Sequence, residues 1–317
     1  MEIKDLLERV GVVPVVKAYS VDKALELAKL LLKKNINVIE VTYRTDSAGQ
    51  IIKEISEKYP NMNIGAGTVL TLDSAKSAID NGATFIVAPG FNSEIVKYCL
   101  KNNILCIPGV SNPSQIEQAA SLGLSILKFF PAELSGGVNM LKAFSSVYPD
   151  VSFMPTGGVK ENNVNDYLAL NNVVACGGTW IVPTNSIESG DFDKIEELLD
   201  ACVKRVMDLS IAHSGLYIGN KEVTDAFGRE FSNIFQIESK PGNSSMFIAS
   251  DLEFVYEPMK DQSFHIGLHT ASIARALNYL EPYGVKALED TKKYANGKLK
   301  AVYLEIPNLN YLIHLVE

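Results

Sequence analysis

The chain has 317 residues, of which 29 are Lys or Arg and 37 are Asp or Glu, for a formal net charge of −8 at pH 7. Hydrophobic residues at 47% and charged residues at 21% describe an ordinary soluble globular protein, long enough for one large domain or two. This balance argues against nucleic acid or anionic membrane as the main partner, and no apolar stretch reaches the length of a membrane span. The start, Met1-Glu2-Ile3-Lys4-Asp5, has no signal-peptide pattern. Cys99, Cys106, Cys176 and Cys202 are scattered singly without metal spacing, so reduced thiols and a cytoplasmic location are expected.

From residue 1 to 208, strand-like and helix-like runs alternate, with a repeat of roughly 20 to 25 residues. Predicted strands cover 12–17, 38–43, 63–68, 85–88, 104–108, 125–130, 152–156 and 173–176. Amphipathic stretches lie between them, such as 20–35 with Ala24, Leu27, Ala28 and Leu31 at helical spacing. Helix starts are marked at Thr71-Leu72-Asp73 and Asn112-Pro113-Ser114. Eight strands, each followed by a helix, predict an α/β fold, a (β/α)8 TIM barrel. A doubly wound sheet would want a glycine-rich turn after the first strand, and Lys17-Ala18-Tyr19-Ser20 is not one.

Barrel enzymes hold their chemistry at the carboxy-terminal strand ends, and the unusual residues gather there. Lys128 lies in the apolar run Ile126-Leu127-Lys128-Phe129-Phe130; its amine must be paired, exposed at the strand end or partly deprotonated. A deprotonated lysine is a nucleophile toward a ketone or aldehyde. Glu40, mid-strand, is either a general base or the ion-pair partner of Lys128 or Arg44. Arg44, at its strand's exit, offers a planar fork to a carboxylate. Thr68, Pro89 and Thr156 end their own strands. Gly157-Gly158 and Gly177-Gly178 follow predicted strands seven and eight, where many barrels bind phosphate through backbone N–H groups.

These segments, with Gly65-Ala66-Gly67-Thr68-Val69-Leu70, Leu127-Lys128-Phe129-Phe130-Pro131-Ala132-Glu133, Pro155-Thr156-Gly157-Gly158-Val159 and Gly177-Gly178-Thr179-Trp180, resemble in order and spacing the motifs of the 2-keto-3-deoxy-6-phosphogluconate (KDPG) and 4-hydroxy-2-oxoglutarate (KHG) aldolases. The resemblance covers residues 5 to about 205. It implies that Lys128 is the Schiff-base lysine and Glu40 the acid/base. Arg44 and Thr68 match the binders of the pyruvate-end carboxylate, and Pro89 and Phe130 frame the pocket. Thr156, Gly157, Gly158, Gly178 and Thr179 match the far end, where hydroxyl and phosphate groups bind. Thr179 stands where many members have serine, and Tyr43 where leucine is usual. The resemblance also implies no metal or organic cofactor and a homotrimer.

A second pattern covers 209–317 and contains a weak internal repeat. His213-Ser214-Gly215-Leu216 and His265-Ile266-Gly267-Leu268 each open a strand, followed by helical runs 223–235 and 272–283. Strand-like alternation follows over 246–256, 300–304 and 312–316. This smaller α+β domain of paired βαβββ modules resembles the vicinal-oxygen-chelate, or glyoxalase-like, fold, in which opening histidines and a late glutamate of each half often hold a divalent metal. Here Glu253 or Glu257 serves the first half, the second offers Ile313 and His314, and Glu305 is no obvious ligand. With two imidazoles and no clear carboxylate pair, the expectation is no metal and a binding or assembly domain.

The sequence therefore predicts a class I Schiff-base aldolase that cleaves KDPG to pyruvate and glyceraldehyde 3-phosphate, its partners being a 2-keto acid and an aldehyde. The alternatives are KHG cleavage to pyruvate and glyoxylate as the main activity, or a non-catalytic metabolite-binding protein. The preferred aldehyde, the C4 configuration and the second domain's ligand are not encoded legibly.

Overall fold

The computed structural model describes residues 3–258, 260, 262–309 and 311–317. The chain divides into two compact units, with the boundary between Val206 and Met207.

In the first unit the strands are β1 (Val12–Val16), β2 (Val38–Thr42), β3 (Asn63–Gly67), β4 (Phe85–Val87), β5 (Leu105–Ile107), β6 (Gly109–Val110), β7 (Ile126–Phe129), β8 (Ser152–Pro155) and β9 (Cys176–Gly178). Every residue of β1 and β2 is buried, as parallel strands covered on both faces require. Six strands pair in parallel in the order β5-β4-β3-β2-β1-β9, and three more in the order β6-β7-β8. Between β5 and β6 stands Pro108, which has no N–H to donate to a ladder and divides one extended run between the two sheets. Bridges Phe153↔Val173 and Thr156↔Gly177 link the β8 run to the β9 run. The result is a TIM-like α/β fold.

Helices separate the strands where the periodicity places them. Val21–Lys33 buries Ala24, Leu27, Ala28 and Leu31, and Ser20 caps it by accepting the N–H of Lys23. Thr71, Asn92 and Asn112 cap three further helices in the same way.

Strand eight corrects the sequence expectation. The predicted strand over 173–176 meets the observed β9 only at Cys176, so Gly177 and Gly178 lie in the strand rather than after it. The branched Val173 and Val174 suggested a strand, but the ladder with β1 pairs Val12 with Cys176, Val13 with Gly177 and Pro14 with Gly178. Tight packing explains the glycines: a Cβ at Gly177 would strike Thr156, and one at Gly178 the Trp180 ring.

In the second unit the strands are β10 (Ser210–Tyr217), β11 (Ser239–Pro241), β12 (Ser245–Ile248), β13 (Leu252–Val255), β14 (Phe264–His269), β15 (Lys286–Ala287), β16 (Lys293–Ala295), β17 (Lys298–Glu305) and β18 (Leu312–Val316). They form one mostly antiparallel sheet in the order β11-β12-β13-β10-β14-β18-β17-β15, with β16 paired to β17. The strand-like run over 246–256 is a hairpin of two antiparallel strands. Helix Lys221–Phe235 follows β10 and helix Ile273–Leu280 follows β14, so each half opens with a strand and a helix. Each half has its own apolar cluster, one around Met246, Ile248, Phe254 and Tyr256, the other around Ile273, Val302, Leu304 and Leu315.

Candidate functional site

The two charges that looked costly in sequence solve their burial together. Lys128, the third residue of β7, and Glu40, the third of β2, are both buried, and Lys128 Nζ donates to Glu40 Oε1 at 3.2 Å. Their strands belong to different ladders and are not neighbours, so the pair spans the space that the two sheets enclose. Gly67 allows this: a Cβ there would run into the Glu40 carboxylate. The second carboxylate oxygen, Oε2, is buried without a hydrogen-bond partner. A buried amine beside a buried carboxylate with one oxygen unpartnered is an arrangement able to exchange a proton.

Around this pair the structure assembles several of the other expected residues. The Phe130 ring centroid lies 5.5 Å from Lys128 Nζ, a favourable position for a cation over an aromatic face. Arg44 is exposed just past β2, and its Nε donates to Thr68 Oγ1 at 3.0 Å. That bond leaves the two terminal guanidinium nitrogens free of any carboxylate among the described residues. Thr68 holds φ 55°, uncommon for a β-branched residue, just past the end of β3. Pro89 follows β4, and its carbonyl is approached so closely by Gly109 that only glycine fits there. Tyr43 does not join the pair; its hydroxyl lies 3.4 Å from Ser77 Oγ.

The far end is a second group. Thr156 is buried, and its Oγ1 has no hydrogen-bond partner. Gly157 and Gly158 have φ 94° and 87°, so their backbone conformation needs glycine. A cavity of about 660 Å³ opens beside them, lined by Gly158, Thr179 and Trp180 and by two cations, Lys160 and Arg205. Neither cation stands out in sequence, since both belong to helix-and-loop segments rich in ordinary surface charge. Beneath Gly158 lies Glu133, which accepts a short hydrogen bond from the Tyr167 hydroxyl. Burial first, and then that bond, push the Tyr167 phenol well above its usual range.

The second unit holds its own polar cluster. His213, His265 and His314 are buried, with His213 Nε2 3.3 Å from His265 Nε2 and 3.0 Å from His314 Nε2. Glu253 Oε2 lies 3.1 Å from His265 Nε2 and 3.4 Å from His213 Nε2. Of the two candidate glutamates, Glu253 therefore joins the histidines, while Glu257 lines the cavity of about 500 Å³ that opens over them. The expectation of two imidazoles is extended: His314, on β18, is a third. Burial lowers the pKa of His213, and burial followed by the neighbouring imidazoles lowers that of His314 to about 3, so both rings are neutral.

Comparison with known proteins identifies the family of the first unit. The chain is 44% identical over 196 residues to the 2-dehydro-3-deoxy-phosphogluconate aldolase of Treponema pallidum, covering 62% of this chain and 93% of that protein. It is 38% identical over 193 residues to the KHG/KDPG aldolase of Escherichia coli K12, covering 61% and 91%. The crystal structure of the KDPG aldolase of Legionella pneumophila, with pyruvate captured as a covalent carbinolamine, superposes with a TM-score of 0.62 and 37% identity, over 64% of this chain and 98% of that one. The family model for KDPG and KHG aldolase matches residues 3–198, and the chain belongs to that family of aldehyde-lyases.

Proposed function

We propose that this protein is a class I aldolase that cleaves KDPG to pyruvate and glyceraldehyde 3-phosphate, with Lys128 as the Schiff-base lysine and Glu40 as the acid/base. The observation that carries this reading is the buried Lys128–Glu40 pair at 3.2 Å, because it joins a nucleophile to a proton carrier in one buried site. The captured carbinolamine of the Legionella relative supports it.

The chemistry follows from the pair. Glu40 takes a proton from the Lys128 ammonium, and the neutral amine attacks the C2 ketone of the keto acid. Glu40 returns that proton to the carbinolamine hydroxyl, water leaves, and a protonated Schiff base remains. The carboxylate, free again, takes the proton of the C4 hydroxyl as the C3–C4 bond breaks. The electron pair of that bond passes into the iminium, which leaves an enamine and releases the aldehyde. Glu40 then gives its proton to C3, and hydrolysis frees pyruvate and the lysine. Acid–base transfer of this kind contributes about 10²- to 10⁴-fold; the iminium electron sink and orientation supply the remainder.

Arg44 and Thr68 hold the keto-acid carboxylate in this reading, with Pro89 and Phe130 framing the reacting carbons. Thr156, whose buried hydroxyl has no protein partner, is suited to a substrate hydroxyl. Gly157, Gly158, Gly178 and Thr179 make the phosphate end. Lys160 and Arg205 in the adjoining cavity, against the single carboxylate of Glu161, favour the phosphorylated substrate over KHG, since a phosphate wants both N–H donors and positive charge. The complete eight-stranded barrel, its homotrimeric assembly and a cytoplasmic location belong to the same proposal. Among the described residues no helix is long and apolar enough to cross a membrane. The second unit, by its two strand-helix-led halves joined through β10 and β14, supports a glyoxalase-like pair of βαβββ modules over 209–317.

Borohydride reduction in the presence of pyruvate, followed by peptide mass spectrometry, tests the lysine. A stable three-carbon adduct on Lys128, lost in Lys128→Met, is the expected outcome. A folded protein that gives no adduct returns the metabolite-binding alternative. KDPG cleaved faster than KHG is the expected order; the reverse overturns the phosphate assignment.

A further inference from the structure

Among the groups that the aldolase chemistry leaves unused is a buried phenol beside the phosphate end. Tyr167, in helix Val164–Leu168, is fully buried, and its hydroxyl donates to Glu133 Oε1. A buried tyrosine hydroxyl requires such a partner. Gly137, at φ 56°, leaves room for the bond: a Cβ there would stand 3.2 Å from the Tyr167 hydroxyl oxygen and 3.4 Å from Glu133 Oε1. The acceptor is not a core residue. Glu133 opens the 3₁₀ turn Glu133–Ser135 and is exposed. Its Cβ and Cγ lie so close to Gly158 that a Cβ on that glycine would stand 2.6 and 2.4 Å from them. The bond from Tyr167 therefore fixes the side chain on which the Gly158 backbone rests.

The backbone of the same turn sets the direction of the loop's donors. Ala132 N–H donates to the Thr156 carbonyl at 2.8 Å, and Glu133 N–H to the Gly157 carbonyl at 3.1 Å. Asn163 Nδ2 donates to the Gly158 carbonyl at 3.2 Å, while its Oδ1 accepts from Lys160 N–H at 2.7 Å. In a trans peptide the carbonyl and the N–H of the next residue point opposite ways. With the Gly157 and Gly158 carbonyls tied back, the N–H groups of Gly158 and Val159 turn away from Glu133 and Asn163. Neither N–H donates to any group among the described residues. Both residues line the cavity of about 660 Å³ that Lys160 and Arg205 also line. Glu133 contributes nothing to that lining, so its carboxylate is held off the space an anion would take.

We propose that Glu133 and Tyr167 are positioning residues for the substrate phosphate: their hydrogen bond holds the Gly157-Gly158 loop so that its N–H donors meet that group. Neither residue touches the reacting atoms. The inference rests on the KDPG reading of the site and adds a determinant of specificity to it. Without the Tyr167 hydroxyl, the Glu133 side chain is free to leave its place beneath Gly158, and the two N–H groups lose their common aim. A phosphorylated substrate feels that loss; a substrate without a phosphate to place in the cavity does not.

The test compares the full chain with Tyr167→Phe, which removes only the hydroxyl from the buried ring. A hydrogen bond to a charged group corresponds to about 10- to 150-fold in binding, so its misalignment should raise KM for KDPG at least about 5-fold. The competitive inhibition constant of inorganic phosphate should rise by a similar factor. The kcat for KDPG, the KM for KHG and borohydride trapping of pyruvate on Lys128 should stay within about twofold of the parent. Glu133→Ala should reproduce the loss, while Glu133→Gln, whose amide oxygen still accepts from Tyr167, should keep near-parent values. Unchanged phosphate inhibition in Tyr167→Phe overturns the positioning role, as does an equal loss on KDPG and KHG, the mark of a merely structural defect. Should Tyr167→Phe not fold, Glu133→Ala, at an exposed position, decides by the same two criteria. A parent that neither traps pyruvate nor cleaves KDPG overturns the aldolase reading and this inference with it. A parent that does both, beside variants that match it, overturns this inference alone.

Discussion

Replacing Lys128 with methionine removes one partner of a buried ion pair and leaves the other where it was. At 3.2 Å and an effective dielectric constant of about 20, the attraction between the two charges is about 5 kcal/mol. The full figure is not lost, because the lysine's own desolvation cost disappears with it. What remains is a wholly buried carboxylate with one oxygen already unpartnered and the other newly so. Breaking such a pair costs about 3–5 kcal/mol. An ordinary glutamate held protonated at pH 7 costs about 3.7 kcal/mol, which caps the penalty, so a loss of about 3–4 kcal/mol is expected. Adding Glu40→Gln removes the stranded charge and should restore most of that loss. The assay is urea unfolding at pH 7 followed by the fluorescence of Trp180, the sole tryptophan, which lies in the first unit and reports it alone. Lys128→Met within about 0.5 kcal/mol of the parent would refute the buried pair. So would a double variant that is weaker than the single by a further 3 kcal/mol.

Two other expectations follow from the same structure. Arg44→Ala should raise KM for the keto acid about 10- to 150-fold, the equivalent of a charged hydrogen bond of about 1.5–3 kcal/mol, while stability stays near that of the parent because the side chain is exposed and bonded only to Thr68; a lowered kcat with unchanged KM would move Arg44 out of carboxylate binding. Glu196 accepts from Lys33 and lies 2.9 Å from both Lys33 and Lys34, and hydrogen bonds from these two lysines lower its pKa from 4.5 to about 2. A lowered carboxyl pKa stabilises the fold above the unfolded value and loses that effect as pH falls, here between about 4.5 and 2. The melting temperature of Glu196→Gln should therefore fall less steeply with acid over that window; a slope equal to the parent's would mean the lysines do not hold Glu196 in solution.

Much of the first unit could be read in the chain itself, for a simple physical reason. Strands buried on both faces must be apolar, so Lys128 and Glu40 inside them stood out as charges needing an explanation. Caps at Thr71 and Asn112 were legible because a side-chain oxygen at a helix start satisfies local N–H groups and depends on nothing distant. Strand eight was misplaced because Gly177 and Gly178 have poor strand propensity and owe their place to close packing against Thr156 and Trp180.

Which partner Lys128 takes was a different matter. Residues 40 and 128 lie on strands that do not pair, and only closure of the sheets around a common interior brings them to 3.2 Å. The second unit divides the same way. Its histidine–glycine repeat was visible along the chain, because each copy is local. His314 and Glu253 were not assignable, since neither repeats nor sits at a marked spacing. Their roles depend on the parallel pairing of β14 with β18 and of β10 with β13, which sets His314 beside Gly267 and Glu253 beside Gly215. Register of that kind is decided by the packing of both sheet faces at once, and one residue of slip in a strand would turn its side chains to the opposite face.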